Sequence, residues 1–391
     1  MSRIYLSIPH MGTLEEGYVR EAFATNWLSS IGPNLVEFER GFSEIVGGLP
    51  CVALSSGTAA IHLGLKLLGT ERGDEVFCST LTFAASANPI VYEGAKPVFI
   101  DSERASWNMD PDLLEEALED RAKKGRLPRA VIVVHLYGQS ADLDRIEKAC
   151  ARFDVPILED AAEALGTHYR GKQVGTRSPV SAFSFNGNKI LTTSGGGMLV
   201  ARERAWVEKA RFWSQQSREP YPWYEHREIG FNYRMSNVVA GIGRGQLAVL
   251  EERVAARRAV AFRYVEAFAD IPGLELMPQC SYGRHTNWLS VFVLDERRLG
   301  VTRDELLDAL TKADIEARCV WKPMHLQPVF AECPHFGGSV SEDLFERGIC
   351  LPSSSCLTTD EQGRVIDVIR RTIAAREPER KQGPSWTACA G

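Results

Sequence analysis

Five short, almost wholly apolar runs recur between residues 50 and 200, separated by stretches with helical spacing. Cys51-Val-Ala-Leu54, Glu75–Cys78, Lys96–Ile100, Ala130–Val134 and Val155–Leu158 read as strands. Helical patterns cover Thr58–Leu68 and the regions near 82–93, 110–124 and 142–153. The run Ala130-Val-Ile-Val-Val134 has no polar alternation, so both of its faces must be buried. Strands of this kind alternating with helices form βαβ units, which need a mostly parallel sheet covered on each side. The sequence therefore predicts an α/β fold.

From Ser236 the pattern changes. A helical stretch runs to about Asp270, followed by a strand near Leu289–Leu294 and helices near Arg303–Lys312 and Asp360–Ala375. The expected organisation is a large domain with an N-terminal arm over 1–240, a smaller C-terminal α/β domain over 241–376, and a loose polar tail over 377–391. A chain of 391 residues is long enough for about two domains.

Bulk properties exclude several classes. A net charge of -6 gives no basic field for nucleic acid. The N-terminus lacks a signal-peptide core, and no apolar run approaches the roughly 20 residues of a membrane span. The nine cysteines are scattered and form no CxxC, and the histidines show no HExxH. That argues against a disulfide framework or a metal site and predicts a reducing cytoplasm.

Two stretches imitate known motifs. Gly166-Thr-His-Tyr-Arg-Gly171-Lys172 begins like a phosphate-binding P-loop, but Gln173 stands where Ser or Thr must hold magnesium. A hairpin turn at Arg170-Gly171 is the better reading. Gly241-Ile-Gly243-Arg-Gly245 lies inside a helical pattern and lacks dinucleotide spacing, so close helix packing explains it. With no such fingerprint elsewhere, a nicotinamide oxidoreductase is excluded.

Three other segments carry chemistry. Ser55-Ser56-Gly57-Thr58 follows a strand and opens a helix, which makes either an ordinary N-cap or an anion cradle. Asp160 comes directly after a strand, at the edge where open α/β sheets bind ligands. It reads either as a cap or as the partner of a buried cation. Lys189 is a single lysine in the polar, glycine-rich crossing Asn186-Gly-Asn-Lys-Ile-Leu-Thr-Thr-Ser-Gly-Gly-Gly197. A surface loop explains it alone. Together, an anion cradle, a carboxylate and a lysine meet the needs of pyridoxal 5'-phosphate: its phosphate, its pyridine nitrogen and its aldehyde. In that reading the glycines let the backbone pass close to the cofactor.

Further motifs complete a resemblance. Asn26-Trp27-Leu-Ser-Ser-Ile-Gly-Pro33, Thr80-Leu-Thr-Phe-Ala-Ala85, Glu159-Asp-Ala-Ala162, Ser184-Phe-Asn-Gly-Asn-Lys189, Gly230-Phe-Asn-Tyr-Arg-Met-Ser-Asn237 and Pro323-Met-His-Leu-Gln-Pro328 occur in this order. The chain resembles the DegT/DnrJ/EryC1/StrS family of nucleotide-sugar aminotransferases, with the pyridoxal-phosphate-dependent (aspartate aminotransferase type I) fold. The likeness runs from Ile4 to about residue 375.

The resemblance implies roles. Lys189 carries the cofactor and shuttles the proton, and Asp160 pairs with the pyridine nitrogen. Phe83 covers the cofactor face, and Gly57, Thr58 and Ser184 hold its phosphate. Asn232 reaches the phosphate of a neighbouring subunit, which implies a homodimer with shared sites. Arg234 and His325 fall in segments lining the substrate side, and Trp27 and Ser30 in a loop near the sugar nucleotide. Asn186 and Asn188 sit beside the lysine, although an Asn-Gly turn also explains Asn186. Glu163 departs from the more usual histidine or glutamine and places a carboxylate near the cofactor ring.

The segments around Lys189, Tyr224-Glu-His and Glu228–Asn237 most resemble the bacillosamine-type branch. That implies L-glutamate as amino donor and UDP-2-acetamido-2,6-dideoxy-4-hexulose as acceptor. The alternatives are the same chemistry on a GDP- or dTDP-linked keto sugar, and a cofactor-binding protein without turnover.

Overall fold

The computed structural model describes residues 2–376, so the tail expected over 377–391 lies outside the described residues. Seven strands build a large sheet: β1 (Cys51–Leu54), β2 (Glu75–Ser79), β3 (Lys96–Ile100), β4 (Ala130–Val134), β5 (Ile157–Asp160), β6 (Val180–Ser184) and β7 (Gly197–Ala201). Their order is β1-β7-β6-β5-β4-β2-β3, and the short strand His335–Phe336 extends the β3 edge. β7 is antiparallel to both neighbours, and every other pair is parallel. β1 to β6 therefore all end at one edge.

The apolar runs are buried on both faces, as their composition requires. Along β4, Val131 and Val133 join Phe38, Phe42 and Phe183, while Ala130 and Ile132 join Leu63, Ile90 and Leu158 on the opposite face. Ser56 caps the helix Gly57–Leu67 by accepting the Ala59 N–H at 3.0 Å. Asp110 caps Pro111–Lys123, whose first residue is a proline with no N–H to satisfy.

Both imitation motifs have the structures expected of them. His168–Tyr169 and Lys172–Gln173 pair as a hairpin, with positive φ at Arg170 and Gly171. The three close-spaced glycines lie on the helix Asn237–Leu247, and a Cβ at Gly243 would meet the Phe38 ring at 2.6 Å.

Two boundaries differ from the sequence reading. β5 starts at Ile157 rather than Val155 and ends on Asp160, which is its last residue rather than the one after it. Pro156 has no N–H to give the ladder, although its carbonyl accepts from Val131 at 3.0 Å. The long helical stretch is two helices, Asn237–Leu247 and Leu250–Ala267, with Val249 outside helical geometry at ψ 10 between them.

The C-terminal region carries an antiparallel sheet ordered Leu274–Leu276, Ser290–Leu294, Gly348–Leu351, Arg318–Cys319. Phe292, Leu306 and Val365 are among the core residues beside it. Ile4 is buried in the same core. The Ile4 carbonyl accepts from Glu316 at 2.8 Å, and the Leu6 carbonyl accepts from Ser353 at 2.8 Å. The first residues are thus fastened to one of the last strands.

Of the glycines after Lys189, Gly195 and Gly196 line the cavity at this edge of the sheet, whereas Gly197 packs against backbone. A Cβ at Gly197 would lie 2.4 Å from the Ser56 carbonyl carbon and 2.5 Å from the Gly57 nitrogen. Gly197 lets β7 press against the turn that opens the Gly57–Leu67 helix. Backbone cannot yield there as a flexible side chain would, so Gly197→Ala is expected to destabilise by at least about 1–3 kcal/mol. A lower urea midpoint with unchanged slope checks this. Gly363→Ala is the control, because nothing stands within 4 Å of a Cβ there.

Candidate active site

The carboxyl ends of β1, β2, β5 and β6 open into a cavity of about 590 Å³. A second depression, about 550 Å³, lies away from this edge against Leu67, Arg129 and Trp206 and gathers none of the candidate residues. The main cavity brings together Gly57, Thr58, Phe83, Asp160, Glu163, Ser184, Asn186, Asn188 and Lys189.

Asp160 forms the floor. Its Oδ2 accepts from the Ser86 hydroxyl at 2.6 Å, and its Oδ1 from the Ala162 N–H at 3.1 Å. The Ser86 hydroxyl also lies 2.6 Å from Thr82 Oγ1. Burial pushes the Asp160 carboxyl above its ordinary range, against the pull of these hydrogen bonds and of Lys189. No cation is ion-paired to Asp160 among the described residues. Beside it, burial alone would raise Glu159, but His135 and the N–H groups of Gly175 and Ser178 overcome that and hold it at about 2. The Ala141 N–H donates to His135 Nδ1, which leaves Nε2 to donate to Glu159 at 3.0 Å.

Lys189 is held between a carboxylate and an aromatic face. Its Nζ lies 3.3 Å from Glu163 Oε1 and 4.0 Å from the centroid of a Trp288 ring. The Tyr137 N–H donates to Glu163 Oε2 at 2.8 Å. Burial nevertheless pushes Glu163 up to about 7. The lysine turn is pinned through the Asn188 carbonyl, which accepts from Ser7 Oγ at 2.7 Å and Trp288 Nε1 at 2.8 Å. Thr192 and Thr193 are buried and bond within the crossing, to the carbonyls of Phe185 and Gly195.

Five expected residues lie outside this cavity. The Arg234 guanidinium is spent on Glu39 at 2.6 Å and the Ala53 carbonyl at 2.7 Å. His325 is buried between Thr80 at 2.6 Å and Glu342 at 3.0 Å and stacks on His335. Trp27 is exposed and gives its carbonyl to Asn237, with Ser30 in the same loop. Asn232 is exposed and bridges to Gln215. Conversely, the sequence reading missed Ser86, Trp288, Glu316, Arg318 and Trp321. Ser86 follows the Thr80–Ala85 motif directly and could have been found there, whereas Trp288 gives no local signal.

Comparison with known proteins agrees with this geometry. The DegT/DnrJ/EryC1/StrS aminotransferase family model matches residues 9–370. The chain belongs to that family. EpsN of Bacillus subtilis, assigned as a pyridoxal phosphate-dependent aminotransferase, is 50% identical over 99% of this chain and 98% of its own. A GDP-perosamine synthase of Caulobacter vibrioides is 37% identical, covering 95% and 99%. The crystal structure of the aminotransferase TlmJ from Streptoalloteichus hindustanus superposes with a TM-score of 0.85 at 31% identity, covering 95% of this chain and 99% of that one. The chain is an aminotransferase and its cofactor is pyridoxal phosphate.

The residues present fit that cofactor. A buried carboxylate without a cation suits a protonated pyridine nitrogen. At the cradle, Ser56 takes the Ala59 N–H, so the N–H groups of Gly57 and Thr58, in the helix's first turn, remain for phosphate oxygens beside the Thr58 and Ser184 hydroxyls. When bound, the cofactor supplies an electron sink for the carbon that loses its proton. Asp160 would hold the ring nitrogen in its charged form. Lys189 Nζ would accept and return the proton, with Glu163 beside it to balance its charge. Phe83 and Trp321, with ring centroids 5.6 Å apart, both line the cavity.

The raised Glu163 value carries a sign. A carboxyl that titrates near 7 folded and near 4.5 unfolded binds more protons in the folded state between those values. Stability is then lost as pH rises from about 4.5 to 7, by at most about 3 kcal/mol. Urea denaturation of cofactor-free protein should show wild type losing stability relative to Glu163→Gln across that window. Parallel curves would refute the burial argument.

Proposed function

We propose that this aminotransferase moves the amino group of L-glutamate to the C4 keto carbon of UDP-2-acetamido-2,6-dideoxy-4-hexulose, giving UDP-4-amino-4,6-dideoxy-N-acetylglucosamine. The observation that carries the reading is the meeting of Lys189, Asp160 and the Gly57–Thr58 turn in one cavity of about 590 Å³. That volume exceeds what the cofactor alone needs and leaves room for a sugar ring. The sugar assignment rests on the likeness around Lys189 and Glu228–Asn237. A second reading, a GDP-linked keto sugar, is favoured by the 37% identity to a GDP-perosamine synthase.

The working unit in this proposal is a cytoplasmic homodimer. Asn232 is exposed and follows exposed Trp223, Tyr224 and Ile229 in the chain, so a partner covering this segment would receive Asn232 at its own phosphate site. Trp27 and Ser30, outside the cavity of a single chain, would contact the nucleotide in the pair. Arg234 would act by holding this segment to Glu39, and His325 by holding the Thr80 turn.

The test is spectroscopic. L-glutamate should bleach the visible band of the holoenzyme, and the UDP-linked keto sugar should restore it. Restoration by a GDP-linked keto sugar alone would overturn the sugar assignment in favour of the second reading. Lys189→Ala should lower turnover by at least about 10²–10⁴-fold, the range for losing a positioned proton-transfer group.

A further inference from the structure

We propose that Arg318 is the subsite for the α-carboxylate of the amino donor, and that Glu316 is a resident counter-ion which this carboxylate displaces. The inference deepens the reading above, because it rests on an amino acid being one of the two substrates.

Five charged side chains line the cavity: Asp160, Glu163, Lys189, Glu316 and Arg318. Asp160 and Lys189 are committed to the cofactor, and Glu163 to Lys189. Arg318 is therefore the one cation in this lining that is left for a substrate anion. Its position is rigid, because the strand Arg318–Cys319 pairs with Gly348–Leu351 in the C-terminal sheet. Trp321, three residues on, lines the same cavity.

The guanidinium is half engaged. Its Nε and one terminal nitrogen both donate to Glu316 Oε1, at 3.1 and 2.7 Å. The other terminal nitrogen bonds no described residue, and 69% of the side chain is exposed. A planar fork with one free edge matches a carboxylate. Glu316 is anchored independently, since its Oε2 accepts the Leu6 N–H at 3.1 Å. It can therefore release the arginine without losing its place.

The two half-reactions give this arrangement a purpose. An amino acid brings a carboxylate to the reacting carbon, whereas a sugar ring brings none there. A site that takes both in turn needs a cation in one half-reaction and its neutralisation in the other. An exposed ion pair is weak enough to be exchanged, and Glu316 supplies the carboxylate whenever the donor is absent. A diphosphate could use the same fork, so the experiment must separate the two anions.

The holoenzyme is titrated with α-methyl-L-glutamate, which has no α-hydrogen to lose, and binding is read from the shift of the cofactor band. Arg318→Gln should raise the dissociation constant about tenfold or more, with Arg318→Lys between it and wild type. Glu316→Gln, which removes the competitor, should tighten binding. The affinity for nucleotide sugar, measured in its own half-reaction, should not change in any of the three. Equal affinity of wild type and Arg318→Gln for the analogue overturns the proposal. So does a loss confined to the nucleotide sugar, which would assign the fork to the diphosphate. If wild type does not respond to glutamate at all, the donor reading fails instead. The same titration with L-alanine, which carries only the α-carboxylate, then decides the role of Arg318.

Discussion

A carboxylate buried at the end of a strand, with no ion-paired cation among the described residues, governs the rest of this structure. Asp160 is 4% exposed. A hydroxyl and one backbone N–H offset part of its desolvation but do not neutralise it. The fold tolerates this because Asp160 lies at the rim of the sheet, paired across to Val134 and Ala182. A protonated ring nitrogen is the natural completion. The parallel strands then decide what else can reach the same ligand: the turn after β1, the Thr82–Ser86 segment after β2, and the crossing after β6.

The lysine in that crossing is controlled by competing effects. Burial favours a neutral carboxyl on Glu163, while the adjacent ammonium and the Tyr137 N–H favour a charged one, and the balance lies near neutrality. Glu163 thus changes charge beside Lys189 within the working range of pH. A histidine or glutamine at that position could not act as a counter-ion to the lysine. Trp288 adds a contact that stabilises the cation without taking up a proton.

Much of this was legible in the sequence, for identifiable reasons. The βαβ alternation marked the large sheet because strands buried on both faces leave no polar residues to mislead the reading. Gly57, Thr58, Asp160, Ser184 and Lys189 were legible because each stands where a strand meets a turn, and a parallel sheet brings such places together. What the pattern could not give was anything set by distant pairing. Arg318 and Glu316 reach the cavity through the C-terminal sheet, Ser7 through the N-terminal segment, and Trp288 through the bend before Ser290–Leu294, which carries no motif. The resemblance placed Arg234 and His325 in segments lining the substrate side; within the single chain their side chains bond Glu39 and Glu342. The glycines after Lys189 were read together as serving the cofactor; Gly195 and Gly196 line the cavity, but Gly197 serves the backbone of Ser56 and Gly57.

The fastening of Ile4 and Leu6 to residues 316 and 353 has a temporal consequence. Leu6 is wall of the cavity, yet its partners Glu316 and Ser353 are made more than three hundred residues later. On a ribosome the central strands can associate while the floor, the cradle and the lysine wait with one side open. Contacts so far apart along the chain close late, because they bear the largest loop-closure entropy. The wall of the cavity is therefore complete only after the C-terminal sheet has been made and has drawn the first residues back.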